Sequence, residues 1–402
     1  MKIGDSMTNK ERKIAKRIDC PNRTRHFTEM VYSGEKDNSE EFKAEVFGSI
    51  KSFYPEPSKY NIYFGEMHGH TELSDGRITL DDYFLNIRDN AKLDFAAITD
   101  HDHGGVGKPE LWNGAWDEIK AKVKEYYKPG KFTTILGYER DSYPWYDNLV
   151  IYYNDHDGQL IRGEMDGEIT RKELLQVFKR DDIIAVPHDT YCINAGADFK
   201  IMPEEMFSNM IEIYSRGDSA EYFGNPYNIA DSQFEGGFWQ DALKRGAKMG
   251  CIGGSDDHDR YHGLNAKSRF EGDLEVYPGI TGVLAEENTL ESIFSAIKAR
   301  RTFAFMGGRV EMDFRINNHY MGEEFVCDGE RSIYLKVLAD APIKKITVVK
   351  NCRDYVTTTK NELFFFDNSI ETDCDYYYLR VELEGERCGW TSPIWVNRQS
   401  ND

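Results

Sequence analysis

The sequence predicts an α/β fold, a distorted (β/α)7-8 barrel followed by a small all-β, sandwich-like domain. Two observations predict it. From Asn61 to about Arg309, short apolar runs alternate with longer amphipathic or charged stretches, the pattern of strand–helix units around a parallel sheet buried on both faces. Beyond Arg309 the strand-like runs continue, separated by turn residues, and helical periodicity stops.

Residues 1–60 are charged and irregular and close on Pro55 and Pro57; they read as an N-terminal extension. Residues 61–309 hold the β-rich runs NIYFGEMHGH, LDFAAITDHD, FTTILGYE, NLVIYY, IIAVPH, MIEIYS, MGCIGGSDDH and ITGVLAE. Between them ELWNGAWDEIKAKVKEYY, ITRKELLQVFKR and NTLESIFSAIKARR have helical spacing, and in the last of these Leu290, Ile293, Phe294 and Ile297 share one face. Asn288 and Glu291 form a candidate capping box at its start. Residues 310–402 hold IYLKVLAD, KKITVVKN, ELFFFD, YYYLRVELEG and SPIWVN, the strands of the small β domain.

Composition narrows the function classes. The 402 residues carry a formal net charge of −20, which argues against nucleic acid, since a partner held by its phosphate backbone needs clustered Lys and Arg. A small anionic substrate stays open, because bound metal ions reverse the local sign of the field. The polar N-terminus has no secretory apolar core, and no apolar run approaches the roughly 20 residues needed to span a bilayer. The seven cysteines are odd in number and scattered without CxxC spacing, so reduced thiols and a cytoplasmic location are expected. Oligomeric state is not readable.

The strongest signal is where the histidines fall. His68, His70, His101, His188 and His258 each end a predicted strand, and so do Asp75, Asp100, Glu139, Glu212 and Asp256 or the residues just after. In a parallel barrel those ends converge on one rim, the usual place for an active site. His68 and His70 are two apart, so on a strand they face the same way and can grip one ion, as can Asp256 and His258. Taken singly, each has a plainer reading: His188 as a satisfied core histidine, Glu139 and Glu212 as strand-end carboxylates bonded to loops. Taken together, burying so many charges without a cation would cost several kcal/mol per group. Imidazole and carboxylate without thiolate favour divalent zinc, manganese or iron.

The ordered set HGHTELSDG, ITDHD, a strand-end Glu, a strand-end PH and GSDDHD resembles the polymerase and histidinol phosphatase (PHP) superfamily over residues 61–309. The stretch GITGVLAE…IFSAIKARRTFAFMGGRVEMDFRINNHYMGE and the terminal TSPIWV resemble its carbaryl-hydrolase-like branch, in which a small β domain follows the barrel. The resemblance implies that His68, His70, Glu139 and Asp256 hold a first metal. Glu139 would bridge to a second, also bound by His188, and Asp75, His101 and His258 would hold a third; Asp100 would orient His101. The family places a His soon after the bridging Glu; here Tyr146 or Asp147 stands nearest, so the number of ions is open.

Metal-assisted hydrolysis follows, with Glu139, Asp256 and His258 at the chemistry and Arg140, Tyr191, Arg216, His262 and Lys267 as candidate substrate contacts in loops beyond strand ends. A phosphoesterase acting on a small phosphorylated molecule is the first expectation. Hydrolysis of a carboxylic or carbamate ester is the second. A non-catalytic binding protein using Tyr376, Tyr377 and Tyr378 of the β domain is the third.

Overall fold

The computed structural model describes residues 55–103, 110–143, 146–162, 169–193, 196–228, 233–260, 262–263, 268–270 and 274–399. Among these the chain forms two compact units, one of residues 59–309 with 386–392, the other of residues 310–385 and 393–399 with 55–58. None of the described helices is long and apolar enough to cross a membrane.

The first unit opens with β1 (Asn61–Glu66), the short helix α1 (Leu80–Leu85) running into a π-helical turn at Asn86–Asn90, and β2 (Phe95–Ile98). Helix α2 (Ala115–Tyr126) leads to a long hairpin, β3 (Thr133–Tyr143) and β4 (Tyr146–Tyr153), followed by α3 (Arg171–Phe178) and β5 (Ile183–His188). Then come β6 (Met210–Ser215), β7 (Asp218–Ser219), α4 (Trp239–Lys244), β8 (Gly250–Gly253), the hairpin β9 (Ser268–Phe270) and β10 (Leu274–Val276), β11 (Gly279–Ala285), α5 (Leu290–Lys298) and β12 (Thr302–Met306). The three expected helices are present. Thr170 and Glu173 form a full capping box on α3. On α5 the cap is Thr289, whose hydroxyl accepts from Ser292 N, while Asn288 turns aside to donate to the Asp94 carbonyl; the cap therefore falls one residue later than expected, and it is not the expected Asn288–Glu291 box.

The expected parallel barrel is corrected in two respects. Among the described strands of this unit only β1–β2–β3 and β6–β8 pair in parallel; β4 lies antiparallel between β3 and β5, and β11 antiparallel between β1 and β12. No helix separates β3 from β4, so the chain can only return as a hairpin. The ladders also do not close: β5 ends the main sheet, and β7–β6–β8 form a separate one. Hydroxyl groups bridge the gaps instead. Ser208 Oγ donates to Ala185 O on β5 (2.6 Å), Thr302 Oγ1 donates to Cys251 O on β8 (2.7 Å), and Thr281 Oγ1 on β11 both accepts from Gly253 N (2.9 Å) and donates to Gly253 O (2.6 Å). The strands wrap a core in which Phe95, Ile135, Val150, Val186, Ile252 and Val283 meet the apolar face of α5.

The second unit contains β13 (Val310–Ile316), β14 (His319–Tyr320), β15 (Glu324–Val326), β16 (Arg331–Ala339), β17 (Ile343–Lys350), β18 (Arg353–Thr358), β19 (Glu362–Asp367), β20 (Cys374–Leu383) and β22 (Ile394–Asn397); β21 (Arg387–Thr391) pairs with β12 and belongs to the first unit. One sheet runs β14–β13–β16–β19 and the other β15–β22–β20–β17–β18. Tyr376, Tyr377 and Tyr378, read as a possible binding face, are consecutive on β20, so they point to alternate faces, and all three are buried.

Candidate metal centre

Two stretches of chain carry His68, His70 and Asp256, and backbone hydrogen bonds lock them side by side. After β1 the segment Met67–His70 stays extended, and after β8 the segment Gly254–Asp257 runs beside it: Asp256 N donates to His68 O (2.8 Å) and His70 N to Asp257 O (3.1 Å). That register sets the His68/His70 face against Asp256. The Asp256 backbone is left-handed (φ 47°), a conformation that Asp tolerates better than most residues and that turns its carboxylate inward. Gly69 is needed for space, since a Cβ there would lie 2.5 Å from the His262 ring. A bridge between His101 and Glu139 brings the segment after β2 beside the middle of β3, where Glu139 stands and not at the strand end expected of it.

Among the described residues three groups of donor atoms come together: His68, His70, Glu139 and Asp256; His70, Asp75, His101 and His258; and His68, His188 and Glu212. In the first, His68 Nε2 and His70 Nε2 stand 3.2 and 3.3 Å from Glu139 Oε2, and 3.6 and 2.8 Å from Asp256 Oδ1. A tetrahedral ion with bonds of about 2.1 Å separates its ligands by about 3.4 Å, so three of the four distances already suit an ion; the His70–Asp256 hydrogen bond would open to admit it. In the second, His258 Nε2 and His101 Nε2 lie 3.2 and 3.7 Å from Asp75 Oδ1. His101 Nδ1 is 3.3 Å from Glu139 Oε2, so Glu139 links these two groups; the ion pairs of His188 run to Asp189, Glu212 and Asp256. All four residues of the first group are buried, whereas Asp75, His101 and His258 line the open side.

The electrostatics suit a cation. Burial would lower the His68, His70 and His188 pKa values, but the surrounding carboxylates raise them, His70 to about 9. Burial works to raise the Glu139 and Asp256 carboxyls, and the imidazoles, with Arg216 beside Asp256, hold them well below the usual range. Without an ion, trapped protons balance this charge; metal ligands must shed them, so the residues present fit divalent ions.

The candidate substrate contacts divide sharply. Arg216 has its side chain about a third exposed and Nη1 at 3.4 Å from Asp256 Oδ2, so it reaches the centre. Arg140 instead is buried against Asp102 (Nη1–Oδ2 2.8 Å), because the residue after Glu139 on a strand points to the opposite face. Tyr191 is buried and donates to Asp189 Oδ1 (3.0 Å); His262 is wholly buried, edge-on to Tyr83 and bonded to Asp257 O (2.6 Å). Neither can meet a substrate in this conformation. Lys267 and the Asp147 side chain lie outside the described residues, and Tyr146 is buried with its hydroxyl on Met206 O. Asp100 does not turn to the His101 ring: its oxygens accept from Thr71 N, Thr71 Oγ1 and Ser74 Oγ (2.7, 2.8 and 2.6 Å) and so hold the loop that carries Asp75.

Sequence reasoning left two carboxylates unassigned. Glu212 is bonded to two of the imidazoles. Glu66, buried and pushed up to about 7 by that burial, accepts from His68 N (3.1 Å) and Ser255 N (2.8 Å) and ties the two stretches of chain together. Each is the one acid of a largely apolar strand, and a lone acid there is the available signal.

A family model described as a protein of unknown function (DUF3604) matches residues 238–329, the span containing Asp256 and His258. An uncharacterized protein of Chlamydia pneumoniae is 25% identical over 386 residues, and one of Chlamydia trachomatis serovar D is 26% identical over 402; each match covers 88% of this chain and 60% of the relative. The chain thus spans about 60% of the length of these curated relatives. Among solved structures it is similar to a two-domain protein containing a predicted PHP-like metal-dependent phosphoesterase from Bacteroides vulgatus ATCC 8482, with a TM-score of 0.43 and 14% identity over 82% of this chain and 93% of that one. Superposition at that level carries no weight for activity, and the finer carbaryl-hydrolase-like expectation gains nothing from it.

Proposed function

We propose that this chain is a metal-dependent hydrolase of the PHP type, a phosphoesterase acting on a small phosphorylated molecule. The observation that carries the reading is the buried quartet His68, His70, Glu139 and Asp256 at ligand spacing, with Asp75, His101 and His258 adjoining on the open side. Divalent ions held there would supply Lewis acidity, acidifying a water and neutralising phosphoryl oxygens. The chain's own part is to place the donors. Glu139 connects the inner and outer groups; Asp256 directs Oδ1 to His70 and Oδ2 toward His188 and Arg216; Asp75 fixes His258 at the mouth. Arg216 adds a fixed cation beside the centre, suited to a substrate anion. The net charge of −20 favours a small substrate over nucleic acid.

The test compares p-nitrophenyl phosphate, a phosphodiester and a naphthyl carbamate, with the protein loaded with zinc, manganese or iron and with chelator controls. Turnover of a phosphate ester that chelation stops and His70→Ala abolishes is the expected result. Turnover of the carbamate alone would overturn the phosphoesterase reading and leave a metal-dependent ester hydrolase.

A further inference from the structure

We infer that Glu212 is a positioning residue of this centre: a single carboxylate oxygen that fixes the ring orientation of His68 and His188 together, and not itself a metal ligand. The inference rests on the metal reading above. Glu212 Oε2 lies 2.9 Å from His68 Nδ1 and 2.7 Å from His188 Nδ1, with Ser215 Oγ also 3.3 Å from His188 Nδ1. All three side chains are buried. A carboxylate oxygen only accepts, so both Nδ1 atoms carry a proton, and an ion that displaces the second proton of each ring would find a lone pair at both Nε2 atoms. Those Nε2 atoms face the centre: that of His68 toward Glu139 and Asp256, that of His188 toward Asp189 and Asp256 (3.2 and 3.4 Å).

Distance and space argue against an ion at Glu212 itself. Separations of 2.7 and 2.9 Å are hydrogen-bond lengths, and both run to Nδ1, on the side of each ring away from the Nε2 atoms that face the other donors. The other side of the carboxylate is packed on backbone: a Cβ added at Gly254 would lie 2.3 Å from Glu212 Oε1 and 2.4 Å from His68 Cβ. Gly254 therefore lets Glu212 in, and Glu212 then supports two imidazoles arriving from different strands. Oε1 has no hydrogen-bond partner among the described residues, so the charge is answered through Oε2 alone. Carboxylates behind metal-binding imidazoles typically contribute 10–100-fold to metal affinity.

The experiment measures zinc affinity by chelator competition and zinc content by elemental analysis for the wild type, Glu212→Met and Glu212→Gln, with two-bond ¹⁵N–¹H spectra of the histidine rings in the zinc-loaded wild type. Met should weaken binding about 10–100-fold at unchanged stoichiometry. Gln, whose amide oxygen still accepts, should recover part of the loss. The wild-type spectra should show protonated Nδ1 and ion-bound Nε2 at His68 and His188, a readout that stands even if Glu212→Met fails to fold. Ion-bound Nδ1 on either ring, one ion fewer in Glu212→Gln, or equal affinity in all three proteins would overturn the inference while leaving the metal centre in place. A wild type that takes up no ion would overturn the metal reading and this inference with it.

Discussion

Neighbouring residues on β3 do opposite jobs. Glu139 faces the centre, and Arg140, one residue on, is sunk against Asp102 with a second bond to Ile161 O. Removing one member of a buried pair strands the other charge, so Asp102→Ala should cost about 3 kcal/mol in a denaturant titration. Arg216 is the contrasting cation, about a third exposed and beside Asp256. Arg216→Met should lower kcat/KM for a phosphate ester roughly 10–100-fold, the worth of one charge-assisted hydrogen bond, with metal content unchanged. An equal loss on a neutral carbamate would deny it an anion-binding role. The metal-type residues were legible in the sequence because imidazoles recurring at strand ends have few other uses. The substrate contacts were not: proximity along the chain says nothing about which face a strand presents, and His262 and Tyr191 look available until their buried partners are known.

Among the elements, the apolar runs and helical spacings gave away most strands and the three principal helices, while the pairing direction stayed hidden. Strand–helix alternation suggests parallel neighbours, but β4 and β5 pair antiparallel with α3 between them, and β11 and β12 do the same around α5. Pairing is decided by where the core is buried, which a local pattern does not encode. The hydroxyl bridges were equally invisible, since a Thr inside an apolar strand reads as ordinary β propensity. Thr281 is the clearest case, satisfying both the N–H and the C=O of Gly253. Thr281→Val keeps the shape and removes both bonds, so it should destabilise by roughly 1–3 kcal/mol, each orphaned backbone group being costly. An unchanged midpoint of unfolding would mean that the seam is held by packing alone. Because β8 leads directly into Asp256, the same change should also weaken metal binding.

At the scale of the whole molecule, each unit concentrates charge in its interior. In the first, buried acids and imidazoles crowd together at spacings that suit a metal ion. In the second, the charges neutralise one another: Arg331 Nη1 meets Asp375 Oδ2 (2.5 Å) and Lys350 Nζ meets Asp367 Oδ2 (2.8 Å), with Tyr377 bonded to both Arg331 and Asp367, all nearly inaccessible to solvent. Asp375 also accepts from Asn351 Nδ2 (2.7 Å) and from the backbone of Glu371 and Thr372. Burial works to raise the Asp375 carboxyl, yet the Asn351 and Arg331 bonds and the Lys350 charge hold it below the ordinary value. A carboxyl lowered in the folded state binds its proton first in the unfolded chain. Its contribution is therefore complete above about pH 4, the unfolded value, and is lost as pH falls toward the folded one. Asp375→Asn should thus be less stable than the wild type by about 3 kcal/mol at pH 7, through the uncompensated Arg331 charge. The two denaturation curves should converge below about pH 4, as the wild-type carboxyl is protonated. A gap that stays constant from pH 7 to pH 3 would mean that Asp375 acts through shape and hydrogen bonding, with no share from its charge.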